Sequence, residues 1–214
     1  MKKFILSLIV FVSLAINGFA QGTRTADKAL IIIDMQNDFV DPKGVLCVAG
    51  AQSTIPAIAD MADYARSKED WIVIYIVREH RTNGLDVDQP RVPLFTDGKP
   101  GYCVPGTWGG EIVKGLEVKE GDLVVAKTRN SAFFQTPLDN ILRRLGVKTC
   151  VLAGTQYPNC VRGTANDCMS LNYETICALE CCSAKTPEVA EHNIFDMRNM
   201  GIKCLPVAEI KANY

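Results

Sequence analysis

The sequence predicts an α/β domain, a parallel sheet covered by helices on both faces, and two observations carry that expectation. Six apolar runs of strand length recur along the 214-residue chain, several separated by stretches of helical spacing. The runs are continuous rather than alternating, which suits strands buried on both faces.

In chain order the strand candidates are KALIIID (28–34), WIVIYIV (71–77), DLVVAK (122–127), TCVLAG (149–154), YETICAL (173–179) and IKCLPV (202–207). Helices are expected over 53–68, 136–146, 159–172 and 186–201. Thr136-Pro137 and Thr186-Pro187 each pair an N-cap residue with proline at the first helical position, and Gly146 and Gly201 read as helix stops. The Gly- and Pro-rich stretch from 79 to 121 interrupts the alternation, and loops of that length commonly form binding walls or lids.

Ahead of the first strand, residues 1–20 carry Lys2 and Lys3, an apolar run from Phe4 to Ile16, and small residues at Gly18 and Ala20. That is the pattern of a cleaved export signal. The apolar run falls short of the roughly 20 residues a spanning helix needs, so no stable membrane insertion is expected once the signal is removed. A retained N-terminal anchor is the competing reading. With cleavage after Ala20, residues 21–214 form a single domain, periplasmic or secreted, with 21 basic against 24 acidic residues. A net charge of minus three gives no footprint for nucleic acid, whose binding calls for a basic face.

All nine cysteines follow the signal segment, and the odd number leaves at least one thiol unpaired if every bond is intramolecular. Cys150, Cys177 and Cys204 lie in or beside apolar runs, where a buried thiol is simply a small core side chain. There is no CxxC pair, and the only histidines are His80 and His192, so neither a structural zinc site nor a dithiol redox motif is expected.

In an open parallel sheet, ligands bind beyond the carboxyl ends of the strands. Three residues stand at such ends: Asp34 in IIIDMQNDF, Lys127 in VVAKTRNSAFF, and Cys160 in AGTQYPNCVRGTANDC, after the fourth strand and at the start of a helix. Each alone has an ordinary explanation, a turn cap, a solvated lysine, a core thiol. Together they make a nucleophile with a base and a cation. A helix N-terminus and a nearby ammonium both favour a thiolate, so a lowered Cys160 pKa is expected. Asp34 could take the thiol proton and return it to a leaving amine.

These three motifs, in this order and at these separations, resemble the Asp, Lys and Cys triad of the isochorismatase-like cysteine hydrolase family, over about Lys28 to Leu205. The resemblance implies a three-layer, Rossmann-like α/β/α domain whose six parallel strands run in the order 3-2-1-4-5-6. It implies hydrolysis of a carbon–nitrogen bond in a small amide, ureido or carbamoyl compound through a thioester on the cysteine, with no cofactor. It also implies a cis peptide at Thr155-Gln156, an oxyanion hole built from the backbone N–H groups of Gln156 and Cys160, and a homo-oligomer, a dimer or a tetramer.

Two departures shape the expectation. Nicotinamidases of the family hold a metal through an Asp-x-His pair that the matching REHRTNGLDVD lacks, so no metal is expected and His80 is read as a loop or pocket-wall residue. The QYPN turn stands where many members have a small residue, Thr and Asp, which places Tyr157 in the substrate pocket, with Phe39 as its aromatic wall. Isochorismatase itself, which cleaves a vinyl ether, lacks the cysteine, so Cys160 points to amide chemistry. A catalytically silent small-molecule-binding protein on the same scaffold is the alternative function.

Overall fold

The computed structural model describes residues 24–214, so the export signal expected over 1–20 lies outside the described residues. The six strands are β1 (Lys28–Ile33), β2 (Trp71–Arg78), β3 (Leu123–Lys127), β4 (Thr149–Thr155), β5 (Glu174–Ser183) and β6 (Lys203–Leu205). All neighbours pair in parallel, in the order β3-β2-β1-β4-β5-β6. Among the described residues no helix is long and apolar enough to cross a membrane.

The helices are α1 (Asn37–Val40), α2 (Ile55–Arg66), α3 (Leu138–Leu145), α4 (Arg162–Ser170), α5 (Pro187–Asn199) and α6 (Val207–Asn213). Because successive strand side chains point to opposite faces, β1 feeds two cores. Ile31 and Ile33 pack with Leu138, Leu142, Ala165 and Met197 of α3, α4 and α5. Leu30 and Ile32 pack with Ile58, Met61 and Ala62 of α2 and Ile210 of α6. The continuous runs of β1, β2 and β4 therefore fill a layer on each side, whereas β3, at the sheet edge, is covered on one face only and leaves Val124 52% exposed.

Boundaries moved where local chemistry competes with pattern. α3 begins at Leu138, so Pro137 rather than Thr136 is its N-cap residue, and the Thr136 hydroxyl only accepts from the Leu138 N–H at 3.2 Å in the turn before it. Thr186 caps α5 through the Val189 N–H, and Gly146 ends α3 at φ 85°. β5 runs to Ser183, because its register with β4 slips between Leu152 and Gly154 and admits extra residues. The short α1 and α6 were not expected, each offering too few turns for a visible period.

One glycine fixes the central strands. Gly154 of β4 adopts φ 115°, and a Cβ there would lie 2.1 Å from the Ile33 carbonyl oxygen of β1. Only glycine fits, and the ends of β1 and β4 are thereby drawn together at the edge where the chemistry sits.

The long 79–121 segment folds over that edge without regular strands. Three buried polar residues just after β1 hold it there. Gln36 donates to the carbonyls of Arg78 (2.9 Å) and Gly110 (2.8 Å), and Asn37 donates to that of Trp108 (2.7 Å). The Asp38 carboxylate accepts from the Cys103 N–H at 2.7 Å. A loop this long needs its backbone groups satisfied when it is covered, and these side chains supply the partners.

Candidate active site

Sheet register brings the polar strand ends level. Arg78 of β2 stands opposite Lys127 of β3, while Ile33 of β1 stands opposite both Ile76 and Gly154. Asp34 follows at φ 53°, a left-handed conformation that aspartate tolerates better than most residues, and turns the chain out of the strand. The Lys127 ammonium lies 2.8 Å from Asp34 Oδ2 and also donates to the Arg129 carbonyl at 3.0 Å. Lys127 is only 2% exposed, and Asp34 as little as 1%. Asp34 Oδ1 is buried with no hydrogen-bond partner.

Cys160 sits in the turn Tyr157–Val161, directly before α4. The peptide between Thr155 and Gln156 is cis, and the Gln156 carbonyl accepts from the N–H groups of Asn159 and Val161, each at 3.2 Å. This closes 156–161 tightly around the thiol. Arg78, which the sequence reading passed over, donates to Cys160 Sγ at 3.4 Å and to the Thr128 carbonyl at 3.2 Å. Its Nη2 is 3.9 Å from Asp34 Oδ2, and Asn130 Oδ1 accepts from both Arg78 and Cys160. A charged residue closing an apolar strand was the available signal, the one that picked out Asp34 and Lys127.

The electrostatics reverse one expectation. Burial and then the Asp34 charge push the Cys160 thiol up, outweighing Lys127 and Arg78, which pull it down. The thiol therefore holds its proton at rest, and a free carboxylate oxygen stands nearby to take it. Burial works against the Arg78 charge, but Asp34 and then Cys160 hold the guanidinium protonated.

A cavity of about 300 Å³ opens onto this cluster. Asp34, Cys160 and Gln156 form its reactive end, and Phe39 lines it as expected. Tyr157 does not. It is buried in the core, and its hydroxyl donates to the Leu179 carbonyl at 3.1 Å. Neighbouring residues of a tight turn point to different sides, so Gln156, Asn159 and Cys160 face the cavity while Tyr157 anchors the turn from behind.

A family model, the isochorismatase domain, matches residues 28–209. The chain belongs to the isochorismatase family. An isochorismatase family protein of known structure from Desulfovibrio vulgaris is 50% identical, with a TM-score of 0.84 over 88% of this chain and 98% of that one. A probable inactive nicotinamidase from Arabidopsis thaliana is 40% identical over 182 residues, which are 84% of this chain and 92% of that protein. A ureidoacrylate amidohydrolase from Variovorax paradoxus is 32% identical over 170 residues, 70% of this chain and 66% of that protein.

For an isochorismatase-family chain the residues around His80 are informative. His80 lies in the loop after β2 and lines a cavity beside it, and it is buried, packed edge-on against Phe95 and Tyr102. Burial, and then the Arg78 charge, lower its pKa to about 4. Arg78 occupies the position two before His80, where an Asp-x-His pair would carry its carboxylate. A guanidinium there repels a cation, so these residues do not fit a metal ion.

Proposed function

We propose that this chain is an amidohydrolase that cleaves the carbon–nitrogen bond of a small amide, ureido or carbamoyl compound through a thioester on Cys160. The observation that carries the reading is the division of labour on Asp34: Oδ2 is engaged by Lys127 at 2.8 Å while Oδ1 is buried and unpartnered. A carboxylate held so by one oxygen keeps the other free for proton transfer.

Asp34 Oδ1 takes the Sγ proton, and the thiolate attacks the substrate carbonyl carbon as that oxygen becomes an oxyanion. The N–H groups of Gln156 and Cys160 receive that charge, an interaction worth roughly 3 kcal/mol of barrier per donor in comparable sites. Asp34 then delivers the proton to the leaving nitrogen, the carbon–nitrogen bond breaks, and an acyl thioester remains. Water, deprotonated by Asp34, attacks the thioester carbon, and the departing thiolate takes the proton back. Lys127 orients the base throughout, and Arg78 faces the sulfur as its charge develops.

A screen of small amides and ureides for released ammonia, with Cys160→Ala alongside, tests this. Turnover that survives the substitution, or the lack of any acyl adduct on Cys160 by mass spectrometry during turnover, would falsify it. The name of the Arabidopsis relative favours a second reading, a silent binding protein. That reading expects ligands that bind with the folded chain and release no ammonia.

A further inference from the structure

The charge around the cavity is lopsided. Of its lining residues Asp34 is the only acid, against Arg78, Arg91 and Lys185. Asp34 is already answered by Lys127. The nearest carboxylate behind the basic side is Asp88, and it is shared three ways: 3.6 Å from Arg78 Nη1, 2.7 Å from Arg91 Nη1 and 3.3 Å from Arg129 Nε. Lys185, exposed just before α5, makes no ion pair among the described residues. One carboxylate among three guanidinium groups, plus a free ammonium at the mouth, leaves a surplus of positive charge that a neutral ligand would not balance.

From this arrangement we infer that the substrate carries a carboxylate, and that Arg91 and Lys185, which line the cavity together with Cys160, read it. This inference rests on the amide-hydrolysis reading and narrows it to anionic amides. The cavity's size, about 300 Å³, sits at the small end of ligand sites and admits an amide, a short stem and one acidic group. Phe39, Leu46 and Val48 line it too and would cover the stem. A carboxylate held by Arg91 and Lys185, which take no part in breaking the amide bond, lets the binding energy of a non-reacting group orient the amide at Cys160. A cleft lined by one sign of charge also concentrates ligands of the opposite sign.

The substrate's identity is not needed for the test, because two alkylating reagents differ only in this charge. Iodoacetate and iodoacetamide are reacted with the folded full chain, and rates at Cys160 are read by peptide mass mapping, which separates it from Cys47, another cavity-lining thiol. The iodoacetate-to-iodoacetamide ratio is compared with that of Cys160 in the urea-unfolded chain. The expected result is a ratio about tenfold higher in the folded protein, falling by about three- to tenfold in Lys185→Gln and Arg91→Gln. The preference should also shrink at 1 M salt. A folded-state ratio no higher than the unfolded one, with iodoacetamide still reacting, overturns the carboxylate while leaving the hydrolysis reading standing. A raised ratio that survives both substitutions overturns the assignment to Arg91 and Lys185. If neither reagent labels Cys160 in the folded protein at any pH below that of alkaline unfolding, the cavity gives no ligand access to the thiol, and the nucleophile reading falls with this inference.

Discussion

Cys160 and Cys177 are both buried thiols, and they differ in what surrounds them. Around Cys160 stand a carboxylate with a free oxygen, two cations and an amide side chain. Cys177 lies 3.5 Å from Cys182 Sγ, in a core it shares with Cys204 and Tyr157. Both thiols are pushed up, Cys160 by burial and then Asp34, Cys177 first by its hydrogen bond with Cys182. The direction of the shift is the same, but only one site holds a group that can remove the proton. A cysteine's role is set by its neighbours' chemistry more than by its own burial.

The largest test of that contrast is removal of each sulfur. Cys160→Ala is expected to lower turnover by about 10⁴-fold or more, since the nucleophile's partners cannot substitute for it. Cys177→Ala should leave the rate within a few-fold and lower unfolding stability by about 1 kcal/mol, read by urea denaturation, as a small core truncation. Comparable loss of turnover in both variants would erase the distinction.

Asp34→Asn sharpens it further, because two measurements should move in opposite directions. Without the base, turnover is expected to fall by about 10³-fold. Without the negative charge that raises the thiol, Lys127 and Arg78 pull its pKa down, so iodoacetamide should alkylate Cys160 faster at pH 7 than in the wild type. In the wild type the alkylation rate should keep climbing with pH beyond the ordinary thiol range. A slower alkylation in Asp34→Asn would mean that Asp34 does not hold the thiol in its protonated form.

Much of this was legible in the sequence, and the misses share a cause. Asp34, Lys127 and Cys160 were readable because each closes or follows a continuous apolar run, and a parallel sheet collects such ends on one edge. Arg78 closes a run in the same way, yet it reads as the first letter of the polar stretch that follows. The sign of the Cys160 shift depends on the balance of burial and three charges at distances no sequence supplies. Tyr157 reads as a pocket residue because it stands in the turn that departs from the family pattern, whereas a turn of five residues has an inside and an outside.

Arg78 is the group through which the comparison can be tuned rather than broken. Its guanidinium touches Cys160 Sγ, whereas the groups acting on the Cys177 thiol are Cys182, Cys204 and Tyr157. Arg78→Gln removes a charge that lowers the thiol pKa, so alkylation at fixed pH should slow by about tenfold, one pKa unit corresponding to about 1.4 kcal/mol. Arg78→Lys keeps the charge but loses the fork that also holds Thr128 and Asn130, and should recover part of the rate. An unchanged alkylation profile in Arg78→Gln would reduce Arg78 to a strut for the loop.

The smallest effect is expected behind the turn. Tyr157→Phe deletes the hydroxyl that donates to the Leu179 carbonyl and leaves the ring in the core beside the thiol cluster. That carbonyl belongs to β5, in the stretch where the register with β4 has slipped, so the lost bond should cost about 1 kcal/mol of stability. The ring still supports the turn, so the iodoacetate-to-iodoacetamide ratio at Cys160 should stay as in the wild type. A changed ratio with unchanged stability would put the hydroxyl on the cavity side after all, and the two thiol environments would then be joined through this one residue instead of separated by it.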